Sequence, residues 1–343
     1  MRLLFGLWLL ALGCFPNGNA SWAWAAPQVE VAKGAAEAWA KGELSPRLEE
    51  VLRAPPEEAP RLLERYAFFP APPKGLTLNL DSPKVEGNRV LFPAAVGEEV
   101  GEVVVVLEGR EVKRVYFRPE GLSLPGYLLT PAAGWGFLLL SVFWIFLLFQ
   151  PSPFRAWLLE ALVLLRGYRG LYLFTNLFLY GLFGLGALLA YGMPEMAKAV
   201  QALFGGALEA IGLEEAMGRG ILVLAGVIFH WNFSQGLFLT GLIPALLLGI
   251  PAFLLNALRY LVFGFALSPA LLGSLFLVHL PTLVLELQAY ILVTFGGLVL
   301  LAKTAGGEGY RKGLRALLLT FYLGALFLLL AAWYEAWEVS VLL

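Results

Sequence analysis

The sequence predicts a membrane-embedded all-α helical bundle of about six spans, with one half-helix or re-entrant segment. A small extracytoplasmic α+β domain precedes it. Two observations carry this. First, 59% of the 343 residues are hydrophobic, 14% are charged, and the mean hydropathy is +0.75, which is the balance of a polytopic membrane protein. Second, the charge is concentrated. Residues 27–126 hold 13 Lys/Arg and 16 Asp/Glu, whereas residues 127–343 hold 10 and 9 although the segment is twice as long. The chain therefore divides into a water-facing piece and a lipid-facing piece.

Residues 1–25 read as an export signal. Arg2 supplies the positive start, residues 3–13 form an apolar run too short to span, and Ala23-Trp24-Ala25 has the small-x-small pattern of a cleavage site. The following domain, residues 27–126, is then expected outside. Helical periodicity covers residues 35–41, 47–53 and 57–66, with Ser45-Pro46 as an N-cap followed by proline. Beyond the breaker at 70–73 the period changes to strands over 76–80, 89–93, 102–107 and 111–117, and Glu108-Gly109 signals a hairpin. Helices first and antiparallel strands afterwards are similar to the cystatin-like or nuclear-transport-factor-2-like pattern. The domain has no His or Cys, and its carboxylates are scattered, so recognition or docking is expected rather than catalysis.

The first span is predicted at 132–150, running inward, followed by an interfacial amphipathic helix at 151–169 bearing Arg155, Arg166 and Arg169. The second span, 170–193, returns outward, and 194–220 lies at the outer surface. Residues 221–235 are short and interrupted by His230 and Asn232, which predicts the half-helix or re-entrant segment. Spans at 236–256, 258–273, 274–301 and 316–334 follow, with the tail from Glu335 outside. Inner segments then hold eight cations (Arg155, Arg166, Arg169, Arg259, Lys303, Arg311, Lys312, Arg315) against Lys198 and Arg219 outside, as the positive-inside rule requires. The expected location is the cytoplasmic membrane, multi-pass. A near-zero net charge without a long basic run argues against nucleic acid, and the bilayer is the first expected partner.

The candidate site is the intramembrane polar set Asn232, Asn256, Glu286, His230, His279 and Gln288. Polar and ionisable groups at hydrocarbon depth are expensive and face a bundle interior or a water-filled cavity. Glu286 is read either as interhelical glue with Asn256 or with the Asn232 segment, or as part of a proton or ion relay. His279 precedes it by seven residues, two helical turns or roughly 10 Å along the same face. Gly236, Gly241 and Gly249 are read as small residues permitting close helix approach. Two histidines and a glutamate suffice in number for a metal, but their spacing matches no metal motif, and the single cysteine, Cys14, offers no cluster. No cofactor is expected.

Asn232, Gly241, Gly249, Asn256 and the run PTLVLELQAYILVTFGGL resemble the stage II sporulation protein M family over residues 222–301. Pro281, Glu286-Leu287, Ala289 and Gly297-Leu298 fall at matching places. Thr282 and Leu283 stand where the family has histidine and glycine, Gln288 replaces a proline, and Ala257 replaces the glycine after Asn256. The resemblance implies an integral protein of the cell envelope that scaffolds an envelope or peptidoglycan-acting protein partner, without catalysis of its own. Two other classes compete. One is a transporter-like permease with a midplane site around Asn232, Asn256 and Glu286. The other is an intramembrane hydrolase, prompted by the EExxxR spelling of Glu214, Glu215 and Arg219 upstream of His230; its histidine contexts do not fit.

Overall fold

In a computed structural model, the chain is described over residues 25–120, 126–210 and 216–341. All but Ala25 of the export-signal reading falls on residues 1–24, outside the described residues, as do Glu214-Glu215.

The N-terminal part opens with α1 (Ala25–Ala40), α2 (Leu48–Arg53) and α3 (Ala59–Phe68). Arg47 rather than Ser45 precedes α2, and the Ser45 hydroxyl instead donates to the Pro70 carbonyl at 3.0 Å. Five antiparallel strands follow: β1 (Leu76–Leu78), β2 (Lys84–Glu86), β3 (Arg89–Val96), β4 (Glu99–Glu108) and β5 (Glu111–Pro119). Their order is β1-β3-β4-β5, with β2 also paired to β3. β2 was not expected from its short, polar run. The β4–β5 turn is Gly109-Arg110, one residue later than predicted, because Glu108 pairs across to Glu111 and Gly109 takes the positive φ of 64°.

Alternation along the strands sends Val90, Phe92, Val103, Val105 and Val115 to one face, where Ala32, Ala36 and Trp39 of α1 cover them. Leu91, Val104 and Tyr116 form the second, smaller cluster on the other face.

Among the described residues, six helices are long and apolar enough to cross a membrane, so the chain is a multi-pass membrane protein. They are α4 (Pro131–Phe149), α6 (Arg169–Gly192), α8 (Ile221–Ala245), α9 (Ile250–Ala266, extended by a helical turn at Pro269–Leu272), α10 (Leu275–Ala305) and α11 (Tyr310–Val341). Between them α5 (Pro153–Gly167) and α7 (Pro194–Ala210) join spans. Thr130 and Ser152 accept from Ala133 and Arg155 backbone N–H groups, each with proline at the first helical position, so both helix starts are fixed locally. In α10, 72% of the most apolar window is buried inside protein, against 11% in α4, so α10 is the axis of the bundle.

Three expectations are corrected. Residues 221–235 are not a re-entrant segment: they continue into 236–245 as the single helix α8, whose middle, Asn232–Leu242, widens into a π-helix. The chain reverses at 246–249 instead of at Asn256, because Leu248 (φ 58°) and Gly249 (φ 73°) adopt left-handed backbone inside an unbroken apolar run. Arg259 therefore belongs to a span and not to an inner loop. Finally, the segment from Glu335 is not a tail; it continues α11 to Val341, with Glu338 only 2% exposed.

Backbone contact holds the spans together. A Cβ on Gly264 would collide with the Phe183 carbonyl, and one on Gly186 with that of Leu261, so α6 and α9 touch reciprocally at glycines. Gly249 sits against the Gly297 backbone in the same way; a Cβ on Gly297 would lie 2.7 Å from the Gly249 Cα.

The bundle has two unlike ends. At one, the Tyr310 hydroxyl donates to the Leu246 carbonyl (2.9 Å), Lys303 pairs with Glu308 (2.9 Å) and Arg315 with Glu160 (2.7 Å). Arg155, Arg166, Arg169, Arg311 and Lys312 are carried by elements of this end. At the other, α7 docks against α3, and Leu203 of α7 closes a cavity with Trp39, Tyr66 and Tyr116.

Candidate functional site

Glu286, Tyr290 and Thr294 recur every four residues on α10 and so share one face. The Tyr290 hydroxyl donates to Glu286 Oε1 at 2.8 Å. Tyr290 reaches this position because Gly236 lies beside its ring; a Cβ there would be 2.8 Å from a ring carbon. Over the same ring, at 4.7 Å from its centroid, lies the guanidinium of Arg259.

Arg259 has no carboxylate within ion-pair distance among the described residues. It donates instead to Asn256 Oδ1 (3.1 Å) and to the Thr240 hydroxyl. Asn256, fully buried, turns its amide to Thr294 Oγ1 (2.8 Å) and to the Ala252 carbonyl (3.0 Å). Thr240 anchors itself on the widened helix by donating to Gln235 and Gly236 carbonyls at 2.7 and 2.9 Å. The π-helix thus presents a hydroxyl oxygen to the cation, a placement such helices often serve at functional positions. The result is a chain of polar groups across α8, α9 and α10: Thr240, Arg259, Asn256, Thr294, Tyr290 and Glu286. Glu286 and Asn256 do not meet directly; Tyr290 and Arg259 stand between them.

A second group lies further along α10. His279 Nδ1 is 3.0 Å from Glu338 Oε1, and the Thr282 hydroxyl donates to Glu338 Oε2 at 3.2 Å. His279 and Thr282 are three residues apart, so one helical face of α10 grips one carboxylate of α11. Glu335, one turn earlier on α11, feels the charges of both Glu286 and Glu338, and its Oε2 is buried without a hydrogen-bond partner. Gln288 lies on another face, donating to Tyr172 Oη at 2.7 Å and facing the Tyr180 hydroxyl at 3.5 Å. His230 and Asn232 are half-buried on α8 and join neither group.

Of the six residues expected, the structure thus joins Asn256 to Glu286 through intermediaries, places His279 with Glu338, sends Gln288 to α6, and leaves His230 and Asn232 apart. Arg259, Tyr290, Thr240, Glu335 and Glu338 were missed. A signal for Glu338 existed: the spacing of His279 and Thr282 on one helix matches a single acceptor facing them from another.

No group of three or more His, Cys, Asp or Glu side chains among the described residues is arranged to hold a metal ion. Two cavities, one lined by Trp39, Tyr66 and Tyr116 and the other at the basic end, do not open on the polar chain. Chemically, the arrangement holds a guanidinium and a carboxylate on neighbouring helices through neutral hydrogen-bonding partners. Compared with family models, curated proteins and solved structures, the chain matches none.

Proposed function

We propose that this chain is a non-enzymatic scaffold of the cytoplasmic membrane, of the kind the stage II sporulation protein M resemblance implies. Its N-terminal domain stands on the outer side and recruits an envelope partner. Two observations support the orientation. Seven cations (Arg155, Arg166, Arg169, Lys303, Arg311, Lys312 and Arg315) belong to one end of the bundle, and the N-terminal domain docks on α7 at the other.

The observation that carries the scaffold reading is the closure of the polar chain. Arg259 is satisfied by Asn256, Thr240 and the Tyr290 ring, and Glu286 by Tyr290. Permeation needs exchangeable, hydrated sites, whereas this set uses its own partners and behaves as interhelical glue. Photo-crosslinking tests it. Probes at Leu52 and Val100, exposed by 76% and 59% on the N-terminal domain, should trap one common envelope protein in native membranes. A probe at lipid-facing Leu177 should not. Outer probes that capture nothing beyond the Leu177 background would refute the scaffold.

One observation favours a second reading, a proton or ion relay: the buried, unpartnered Oε2 of Glu335 next to Glu286 and Glu338. In that reading Glu335→Gln and Glu286→Gln each abolish proton flux into liposomes while leaving folding intact. Absence of flux in the unaltered protein under an imposed pH gradient removes it. The intramembrane hydrolase gains no support, since His279 is engaged by Glu338 and His230 shares no partner with it.

A further inference from the structure

We propose that the groove between α5 and the basic end of α10 and α11 is a binding site for the headgroup of an anionic phospholipid of the surrounding bilayer. The groove encloses about 480 Å³. Its walls are apolar, from Leu159, Val163 and Leu164 on α5 and from Ala316 and Leu319 on α11, and its rim carries Lys303, Lys312, Arg315 and Glu160. Leu159 and Val163 are 51% and 65% exposed, so the apolar wall is open to lipid.

Depth places the rim at headgroup level. A helix of 32 residues, as α11 is, extends about 48 Å at 1.5 Å per residue, well beyond a hydrocarbon core of about 30 Å. Lys312 and Arg315 lie in its first two turns, and Lys303 lies two residues before the end of α10. These cations therefore stand where lipid phosphates are, with the apolar walls running from them toward the acyl chains.

Charge selects the ligand. Lys303 is paired with Glu308 and Arg315 with Glu160, but Lys312 is exposed and has no ion pair within 4 Å among the described residues. Three cations meet two carboxylates, leaving one positive charge for a phosphodiester. The Arg315 side chain is 71% exposed, and its guanidinium has N–H donors to spare beyond the one spent on Glu160. A zwitterionic headgroup brings its own ammonium and gains little here, whereas an anionic glycerol phosphate gains the full attraction.

The test is retention of phosphatidylglycerol by the full-length protein in nanodiscs of phosphatidylcholine with a minor share of phosphatidylglycerol. After detergent extraction, the two lipids bound per protein are measured. The expected result is enrichment of phosphatidylglycerol over its bulk share. It should fall about fivefold in Lys312→Gln and more than about tenfold in the Lys303→Gln/Lys312→Gln/Arg315→Gln variant. It should be unchanged in Arg166→Gln/Arg169→Gln, which removes cations of the same end outside the groove. Because Lys312 is exposed, its variant folds even if the triple one does not, which thermal melting checks. Absence of enrichment overturns the proposal, and so does equal loss in the Arg166/Arg169 variant, which would mean diffuse surface charge. Full displacement by inorganic phosphate overturns it in favour of a free phosphate ligand.

Discussion

The surface of the N-terminal domain and the Arg259–Glu286 middle of the membrane bundle both contain cations and carboxylates, yet they handle them in opposite ways. On the domain, charges pair with charges at the surface: Lys41 with Glu37 at 2.8 Å, and Lys113 with both Glu108 and Glu111. Inside the bundle, Arg259 has neutral partners and an aromatic face, and Glu286 has a phenol. Water explains the difference. Outside, solvent stabilises each ion whether or not it is paired, so ion pairs add little. In lipid the alternative to a hydrogen bond is an orphaned charge, so the fold supplies Arg259 and Glu286 with partners, while Glu335 Oε2 is left without one. The cores differ in the same sense. The domain is held by apolar burial around Trp39, the bundle by backbone approach at glycines.

The largest predicted effect breaks the domain alone. Trp39 is fully buried, and its indole N–H donates to the Pro70 carbonyl at 2.6 Å. Trp39→Ala should cost about 3–5 kcal/mol. In the full-length protein this should appear as rapid proteolysis of residues 25–120 while the bundle's denaturation by a harsh detergent is unchanged. Concerted loss of both would mean that the two regions are one cooperative unit.

Next is a glycine of the bundle. Gly264→Ala drives a Cβ into the Phe183 carbonyl, and backbone cannot yield as a side chain can. A loss of about 3 kcal/mol or more is expected. Gly181→Ala on the facing helix has open space and should be silent or slightly stabilising. The pair of melting curves distinguishes close approach from a general intolerance of alanine in α6 and α9.

The polar chain gives a smaller effect. Tyr290→Phe leaves Glu286 without its donor and should destabilise the bundle by about 1–3 kcal/mol. In a Glu286→Leu background most of that cost should vanish, because no acceptor remains to be orphaned. Additive losses would show that Tyr290 acts through packing against Gly236 and Arg259 instead.

How much of this was legible follows from the same contrast. Apolar length announces a span, so the membrane part and its six helices were readable, as was the helix-then-strand order of the domain. The reversal at 246–249 was not, because Leu246-Leu247-Leu248 looks like more helix and only the φ of Leu248 and Gly249 breaks it. Placing that turn at Asn256 in turn misread Arg259 as a loop cation. Glu335 and Glu338 were lost because hydropathy falls at the end of α11, and hydropathy records composition, not whether another helix supplies partners. His279 and Thr282 do supply them. Tyr290 was invisible as a polar residue because an apolar run accommodates tyrosine. Its contact with Arg259 exists only through the chain reversal that brings that cation beside it.

The smallest effect sharpens the comparison from the water side. Glu37 precedes Lys41 by four residues on α1, the favourable orientation for a helical pair, and both are more than half exposed. The hydrogen bond from Lys41, together with its charge, holds the Glu37 carboxyl below the usual carboxylate range. A depressed pKa in the folded state contributes stability above the unfolded value, near pH 4, and that contribution is lost as pH falls through the folded value. Glu37 is therefore ionised throughout pH 5–8, and melting of the domain should show no dependence on this pair there. Glu37→Gln should melt only slightly below the unaltered protein at neutral pH, and by less in high salt than in low salt. A shift as large as that of Tyr290→Phe would mean that an exposed ion pair in water rivals a buried hydrogen bond in the bundle, and the contrast between the two regions would fail.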